Sequence, residues 1–203
     1  MIGQIYADAL TGATAEIEYV DGTRAALETA RWFEPIDGDE TLLRRCADPT
    51  LDIGSGPGRF TVALTHRGIR ALGIDITPRA VALTRRAGGF ALLRDVFDEV
   101  PGSGRWATAL LADGNIGIGG NPELLLRRVR QLVRPGGEVL VELAPPGTTS
   151  RVDRVRLRSG PLIGDWFGWA TVSVNDIQRV ARAGGFPLVD CWTIHDRWMA
   201  RLT

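Results

Sequence analysis

The run Leu51-Asp52-Ile53-Gly54-Ser55-Gly56-Pro57-Gly58-Arg59 decides the fold. It opens apolar and ends in three closely spaced glycines, so it reads as a strand entering a turn where no Cβ blocks a close approach. Arg59–Arg67 follows with Phe60, Val62, Ala63 and Leu64 at helical spacing. Strand, glycine turn and helix together form a cradle for a small ligand.

Working outward, the same alternation continues from Pro49 to Leu143. Ala71–Asp75 is a second apolar strand, and Thr77-Pro78 opens a helix, with Thr77 as its cap and Pro78 in the first turn. That helix stops at Gly88-Gly89. Ala91–Arg94 and Trp106–Ala112 are further strands, Pro122–Val133 is an amphipathic helix, and Arg134-Pro135-Gly136-Gly137 turns into a strand at Glu138–Leu143. Strands apolar throughout and separated by helices imply a parallel sheet covered on both faces.

The flanks differ in texture. Residues 1–48 read as a lid, with Ala15–Val20 and Arg24–Phe33 as a hairpin around Asp21-Gly22 and Asp39–Cys46 as a short helix. Residues 49–143 are the ligand-binding core of the single domain. Residues 144–174 form a substrate-side insertion with extended segments at Arg151–Arg158 and Trp166–Val174. Residues 175–203 hold a helix, Asn175–Ala183, and a terminal hairpin of Leu188–Ile194 and Trp198–Leu202 turning at His195-Asp196-Arg197.

Composition narrows the function. Acidic and basic residues balance at 24 each, so net charge gives no pull toward nucleic acid or an anionic membrane. Every basic residue is arginine, which points to a GC-rich bacterial genome and excludes Schiff-base catalysis and a lysine-bearing phosphate loop. Two cysteines make neither a disulfide framework nor a metal-ligand spacing, so no metal is expected. Met1–Leu10 lacks the basic cluster of a signal peptide, and no apolar run reaches the ~20 residues of a membrane span. A cytoplasmic chain is the expectation; its oligomeric state is left open.

The glycine spacing selects among ligands. A dinucleotide loop wants glycine at the first, third and sixth positions; counting from Gly54, the sixth is Arg59. Asp52, just before the first glycine, would repel a pyrophosphate and suits a positively charged amino acid end. Asp75 ends the next strand, 21 residues after Gly54, where a carboxylate accepts both hydroxyls of a ribose. Asp95 ends the strand after that, placed to accept from an adenine amino group.

At these residues the chain resembles the class I S-adenosylmethionine-dependent methyltransferases. Asp52–Gly58 matches their first motif, Gly73-Ile74-Asp75 the second, Arg94-Asp95 the third, and Val133–Gly137 the turn before strand five. The resemblance implies an α/β, Rossmann-like, seven-stranded and mostly parallel sheet with an antiparallel last strand, here carrying an N-terminal hairpin and an insertion after strand five. It implies S-adenosylmethionine as cofactor and S-adenosylhomocysteine as product. It places Asp52, Gly54, Ser55, Gly56, Gly58, Asp75, Ile76, Asp95, Val96 and Asp113 around the cofactor.

The expected acceptor is a small organic molecule, with no nucleic acid or membrane partner. Tyr6, Trp166 and Trp169 are the favoured aromatic contacts, and Asn115, in the glycine-rich loop after Asp113, is a polar one. Methyl transfer needs alignment above all, and a base only where the acceptor must lose a proton. Asp113, Glu142 and His195 are the candidate bases, with Asp113 and His195 carried forward as catalytic candidates. Arg151, Arg154, Arg156 and Arg158 read as a charged edge strand that resists aggregation, with a basic edge for phosphate or nucleic acid as the rival. Two other functions stay open: a regulatory S-adenosylmethionine binder without turnover, and a nicotinamide-dependent oxidoreductase.

Overall fold

The computed structural model describes residues 2–203, the side chain of Ile2 aside. Helix α1 (Ile2–Ala9) precedes the hairpin β1 (Glu16–Tyr19) and β2 (Arg24–Ala26), and α2 covers Asp39–Leu43. Strand β2 is shorter than expected; the chain leaves it for a 3-10 turn at Ala30–Trp32. The core alternation follows as β3 (Thr50–Ile53), α3 (Arg59–His66), β4 (Ala71–Asp75), α4 (Pro78–Arg86), β5 (Ala91–Leu93), β6 (Trp106–Leu111), α5 (Pro122–Leu132) and β7 (Val133–Leu143). Then come β8 (Arg151–Ser159), β9 (Leu162–Ile163), β10 (Phe167–Thr171), α6 (Ile177–Ala183), β11 (Val189–Ile194) and β12 (Arg197–Leu202).

Seven strands form the main sheet in the order β11-β12-β7-β6-β3-β4-β5. Strands β7, β6, β3, β4 and β5 are mutually parallel, and β12 enters antiparallel between β7 and β11. Alternate residues of the central strands feed two cores. Ala109, Leu111, Val139 and Val141 meet α5 and α6 through Leu125, Val129 and Val180, while Leu110, Leu140 and Met199 meet α2 and α3 through Leu42, Phe60 and Leu64. Both faces are therefore dry, as strands apolar throughout require.

Local chemistry explains most boundaries. Asn121 caps α5 by accepting from the Leu124 amide at 3.0 Å, with Pro122 in the first turn. At α4 the expected cap is replaced: the Thr77 hydroxyl makes no capping bond, and Asp75 accepts the Thr77 amide at 2.8 Å instead. Arg134–Gly137 is not a separate turn. Strand β7 already begins at Val133, and its register on β6 shifts between Trp106 and Thr108, so the glycines sit in a bulge. The last hairpin turns on His195 and Asp196 alone, both at positive φ (47° and 60°), and Arg197 already pairs with Ile194. Two left-handed residues in succession match the right-handed twist of the strands they join.

The flanking segments build a second sheet together, ordered β10-β8-β1-β2 with β9 on β8. This corrects the reading of Arg151–Arg158 as an edge. Strand β8 is paired on both sides, with β1 and with β10. Two of its arginines are partnered across the sheet: Glu18 accepts from Arg156 Nε at 2.6 Å and from Arg158 Nη1 at 3.0 Å. Helix α1 packs on the opposite face, where Ile5 and Ala9 meet Leu157. Among the described residues, no helix is long and apolar enough to cross a membrane.

Candidate active site

The carboxyl ends of β3, β4, β5, β6 and β7 converge beneath α1 and the second sheet. Gly54, Gly56 and Gly58 all have positive φ (71°, 54° and 96°), so the loop needs glycine for its path as well as for space. The three do different work. A Cβ on Gly58 would lie 2.6 Å from Thr84 Cγ2, and one on Gly54 would lie 2.8 Å from Asn115 Nδ2, so both are packed against protein. Among the described residues, only the Tyr6 hydroxyl comes near a Cβ on Gly56, at 3.4 Å.

The Gly56 peptide is held at both ends: its amide donates to Asp75 Oδ2 at 3.0 Å and its carbonyl accepts from Thr84 Oγ1 at 3.0 Å. Asn115 Nδ2 donates to the carbonyls of Ile53 and Gly54 at 2.9 and 3.0 Å, so this amide braces the loop. Asp52 lies beneath the loop, 2% exposed, and accepts from Thr61 Oγ1 at 2.6 Å. Burial pushes the Asp52 carboxyl up to about 6, against the hydrogen bond from Thr61.

Toward β5, Asp95 Oδ1 accepts the Phe97 amide at 2.9 Å and closes a turn. Val96 points into the core at 4% exposure, while Ile76 and Phe97 stay open at 58% and 39%. The outward apolar surface at this end is therefore Ile76 with Phe97, a residue the motif reading passed over. Tyr6, from α1, closes the cleft from above and stacks at a tilt on Trp32, ring centres 5.8 Å apart. Its enclosure, then the charges of Asp75 and Asp113, hold the Tyr6 hydroxyl well above the usual phenol range, so it stays a donor.

Beside this cleft lies an ion cluster that no contiguous motif announces. The Arg59 guanidinium is buried; Nη1 donates to both Asp39 oxygens at 2.9 and 2.8 Å and Nη2 to Asp113 Oδ2 at 2.6 Å. Arg197 grips Glu142 with Nε and Nη2 at 2.9 and 2.8 Å and reaches Asp39 Oδ1 with Nη1 at 2.8 Å. Glu142 also accepts the Asp113 amide at 2.8 Å. Burial alone would raise Glu142, but the bonds and charge of Arg197 outweigh it and hold the carboxyl low. Burial raises Asp113, opposed mainly by Arg59. Asp113 itself sits at positive φ (52°), and its Oδ1 is buried without a hydrogen-bond partner among the described residues.

A cavity of about 350 Å³ opens between the two sheets, lined among others by Arg31, Trp32, Asp113, Glu142 and Trp169. The two favoured tryptophans part company here. Trp169 faces the cavity, whereas Trp166 lies under the Arg156 guanidinium, 4.5 Å from its ring centre. Three residues apart on an extended segment means opposite faces. His195 stands exposed in the terminal hairpin, two residues from Arg197 but outside the ion cluster.

Residues 51–141 match the profile of the methyltransferase domain family. Over 107 residues the chain is 32% identical to an uncharacterized protein of Mycobacterium tuberculosis, a stretch covering 53% of this chain and 36% of that protein. The chain thus spans about a third of the length of the curated relatives it matches. A methyltransferase from Bacteroides fragilis, solved with S-adenosyl-L-homocysteine, superposes with a TM-score of 0.81 at 24% identity, covering 100% of this chain and 93% of that one. The 1,6-didemethyltoxoflavin-N1-methyltransferase of Burkholderia thailandensis superposes with a TM-score of 0.59 at 20% identity, over 80% and 73%. The fold is that of the class I methyltransferases.

Proposed function

We propose that this chain, a methyltransferase domain by profile and by fold, transfers a methyl group from S-adenosylmethionine to a small organic acceptor. The observation that carries the reading is the position of Asp113: it lines the cavity between the sheets, and it accepts at 2.6 Å from Arg59, the residue that follows the glycine loop. Two compartments meeting at one residue suit a donor and an acceptor better than a single bound effector.

The residues at the loop fit the donor. Asp75 accepts the Gly56 amide through Oδ2 and the Thr77 amide through Oδ1, so its carboxylate is fixed at the strand end where a ribose would meet it. Ser55 Oγ is buried without a partner among the described residues, and the Cβ side of Gly56 is open up to Tyr6. In this reading Gly54–Gly56 and Asp75 hold the nucleoside, Ile76 and Phe97 flank the adenine, and Tyr6 covers the sulfonium end. Bound there, S-adenosylmethionine supplies an electrophilic methyl group. The protein aligns the acceptor in the cavity and excludes water from it.

The Burkholderia neighbour carries a small heterocycle beside S-adenosylhomocysteine, which supports a metabolite-sized acceptor here. A cavity of about 350 Å³ sits at the small end of the roughly 300–1,000 Å³ of ligand pockets. Arg197 bonds both oxygens of Glu142, so this carboxylate stays ionised as a fixed charge beside the cavity and is not the base. The test is turnover: the protein, S-adenosylmethionine and fractionated bacterial metabolites are incubated and S-adenosylhomocysteine is measured. Formation that depends on one fraction and disappears in Asp75→Ala supports the reading. Tight S-adenosylmethionine binding with no formation from any fraction favours a regulatory binder.

A further inference from the structure

The cavity between the sheets has aromatic walls, Trp32 and Trp169, and a charged floor, Asp113 and Glu142. Among the described residues, one cation reaches into it from the rim. Arg31 Nη2 lies 3.5 Å from Asp113 Oδ1 and 3.9 Å from Glu142 Oε1, and its side chain is 47% exposed. Neither approach makes a hydrogen bond, because Asp113 Oδ1 remains unpartnered. A half-exposed guanidinium between two carboxylates without bonding either is held by charge alone, and at such a site charge is worth little. Arg59 and Arg197 are different: both are enclosed and multiply bonded, so they stay.

The charges around the cavity favour a cation over an anion. Its lining sets three carboxylates, Glu28, Asp113 and Glu142, against the guanidinium of Arg31, and behind it Arg59 and Arg197 share their charge with Asp39. An acceptor carboxylate drawn to Arg31 would come to lie beside Asp113 and Glu142, where like charges repel. An ammonium group would take the place of the Arg31 guanidinium, give Asp113 Oδ1 the donor it lacks, and leave the apolar part of the ligand between Trp32 and Trp169.

We infer that the cavity recognises an aromatic or otherwise apolar amine, bound through its nitrogen to Asp113 and Glu142 after Arg31 swings aside. The inference deepens the methyltransferase reading, on which it rests, by naming the acceptor class.

The test titrates phenethylamine, 3-phenylpropionate and 2-phenylethanol into the full chain, with and without saturating S-adenosylhomocysteine, by calorimetry. The amine should bind at least about tenfold tighter than the carboxylate, the penalty of a like-charge contact. Arg31→Ala should tighten the amine, up to about fivefold, since it removes a competing cation held by a weak exposed pair. Arg31 bonds nothing in the core, so this variant should fold. Preference for the carboxylate, with loss of binding in Arg31→Ala, would overturn the inference in favour of an anionic acceptor. Equal binding of the three probes, or no amine binding, overturns it outright. Displacement of the amine by S-adenosylhomocysteine overturns it too, because the floor would then hold the amino acid end of that ligand. Failure of S-adenosylhomocysteine itself to bind is read separately in the same titration and counts against the methyltransferase reading.

Discussion

The glycine loop draws its residues from one run, Gly54 to Gly58, while the ion cluster beside it draws Arg31, Asp39, Arg59, Asp113, Glu142 and Arg197 from across the chain. Both lie at the same end of the main sheet. The loop does its work with backbone, so its requirements are local: positive φ, absent Cβ, one carboxylate a strand away. The cluster does its work with side chains that must meet after folding, so its requirements are spread over partners 20 to 158 residues apart. Residue Arg59 joins the two. It is the position that spoils a dinucleotide spacing, and it is also the centre of the cluster.

The largest effect should come from breaking the cluster. Arg59→Ala leaves Asp39 and Asp113 short of a buried partner, and removal of one member of a buried ion group costs about 3–5 kcal/mol. Urea unfolding measures it; a loss below about 1 kcal/mol would mean that the cluster is screened and the contrast with the loop is false.

Within the loop, the glycines should separate. Gly58→Ala forces a Cβ against Thr84 at positive φ and should cost about 2–4 kcal/mol of stability. Gly56→Ala meets only Tyr6 and should cost about 1–2 kcal/mol, yet weaken S-adenosylhomocysteine binding more than Gly58→Ala does, once both are compared folded. Equal binding losses would remove the distinction between a packing glycine and a ligand-facing one.

Asp52 sharpens the comparison through pH. Its folded carboxyl, near 6, lies above the ordinary 3.8, so the folded state holds the proton more tightly than the unfolded chain. Ionisation of Asp52 then subtracts stability progressively as pH rises from about 4 to about 6, and the loss persists above that. Asp52→Asn keeps an acceptor for Thr61 and should be more stable than wild type at pH 7, by about 1–3 kcal/mol, with the gap closing toward pH 4. Thermal melts across that range check the sign; a gap that widens in acid would contradict it.

The smallest effect belongs to His195. Asn tolerates the left-handed backbone there, so His195→Asn should change stability by less than about 0.5 kcal/mol and leave methyl transfer intact. A large drop in turnover would return this turn to the site.

How much could be read from sequence follows the same division. The motifs at Asp52–Gly58, Gly73–Asp75 and Arg94-Asp95 carried the resemblance that implied a mostly parallel seven-stranded sheet, because each is a strand end whose chemistry is written in neighbouring residues. The terminal hairpin was legible through its alternation and its turn. The second sheet was only half visible: β1 and β2 announced a hairpin, but nothing in Glu16–Tyr19 says that it pairs with Arg156 and Arg158 some 140 residues on. Trp166 and Trp169 looked like a pair by spacing, and strand geometry put them on opposite faces. Arg31, Asp39 and Arg197 were invisible as site residues, since a scattered arginine or aspartate reads as surface until a fold brings the charges together.

The most direct measurement is a calorimetric titration of S-adenosylhomocysteine and NAD into wild type and Asp75→Ala, each first shown to unfold cooperatively. The expected result is binding of S-adenosylhomocysteine to wild type, loss of it in Asp75→Ala, and no heat from NAD with either. Binding of NAD in its place, or S-adenosylhomocysteine binding that survives in Asp75→Ala, would contradict the assignment of this loop to a sulfonium nucleoside held by its ribose.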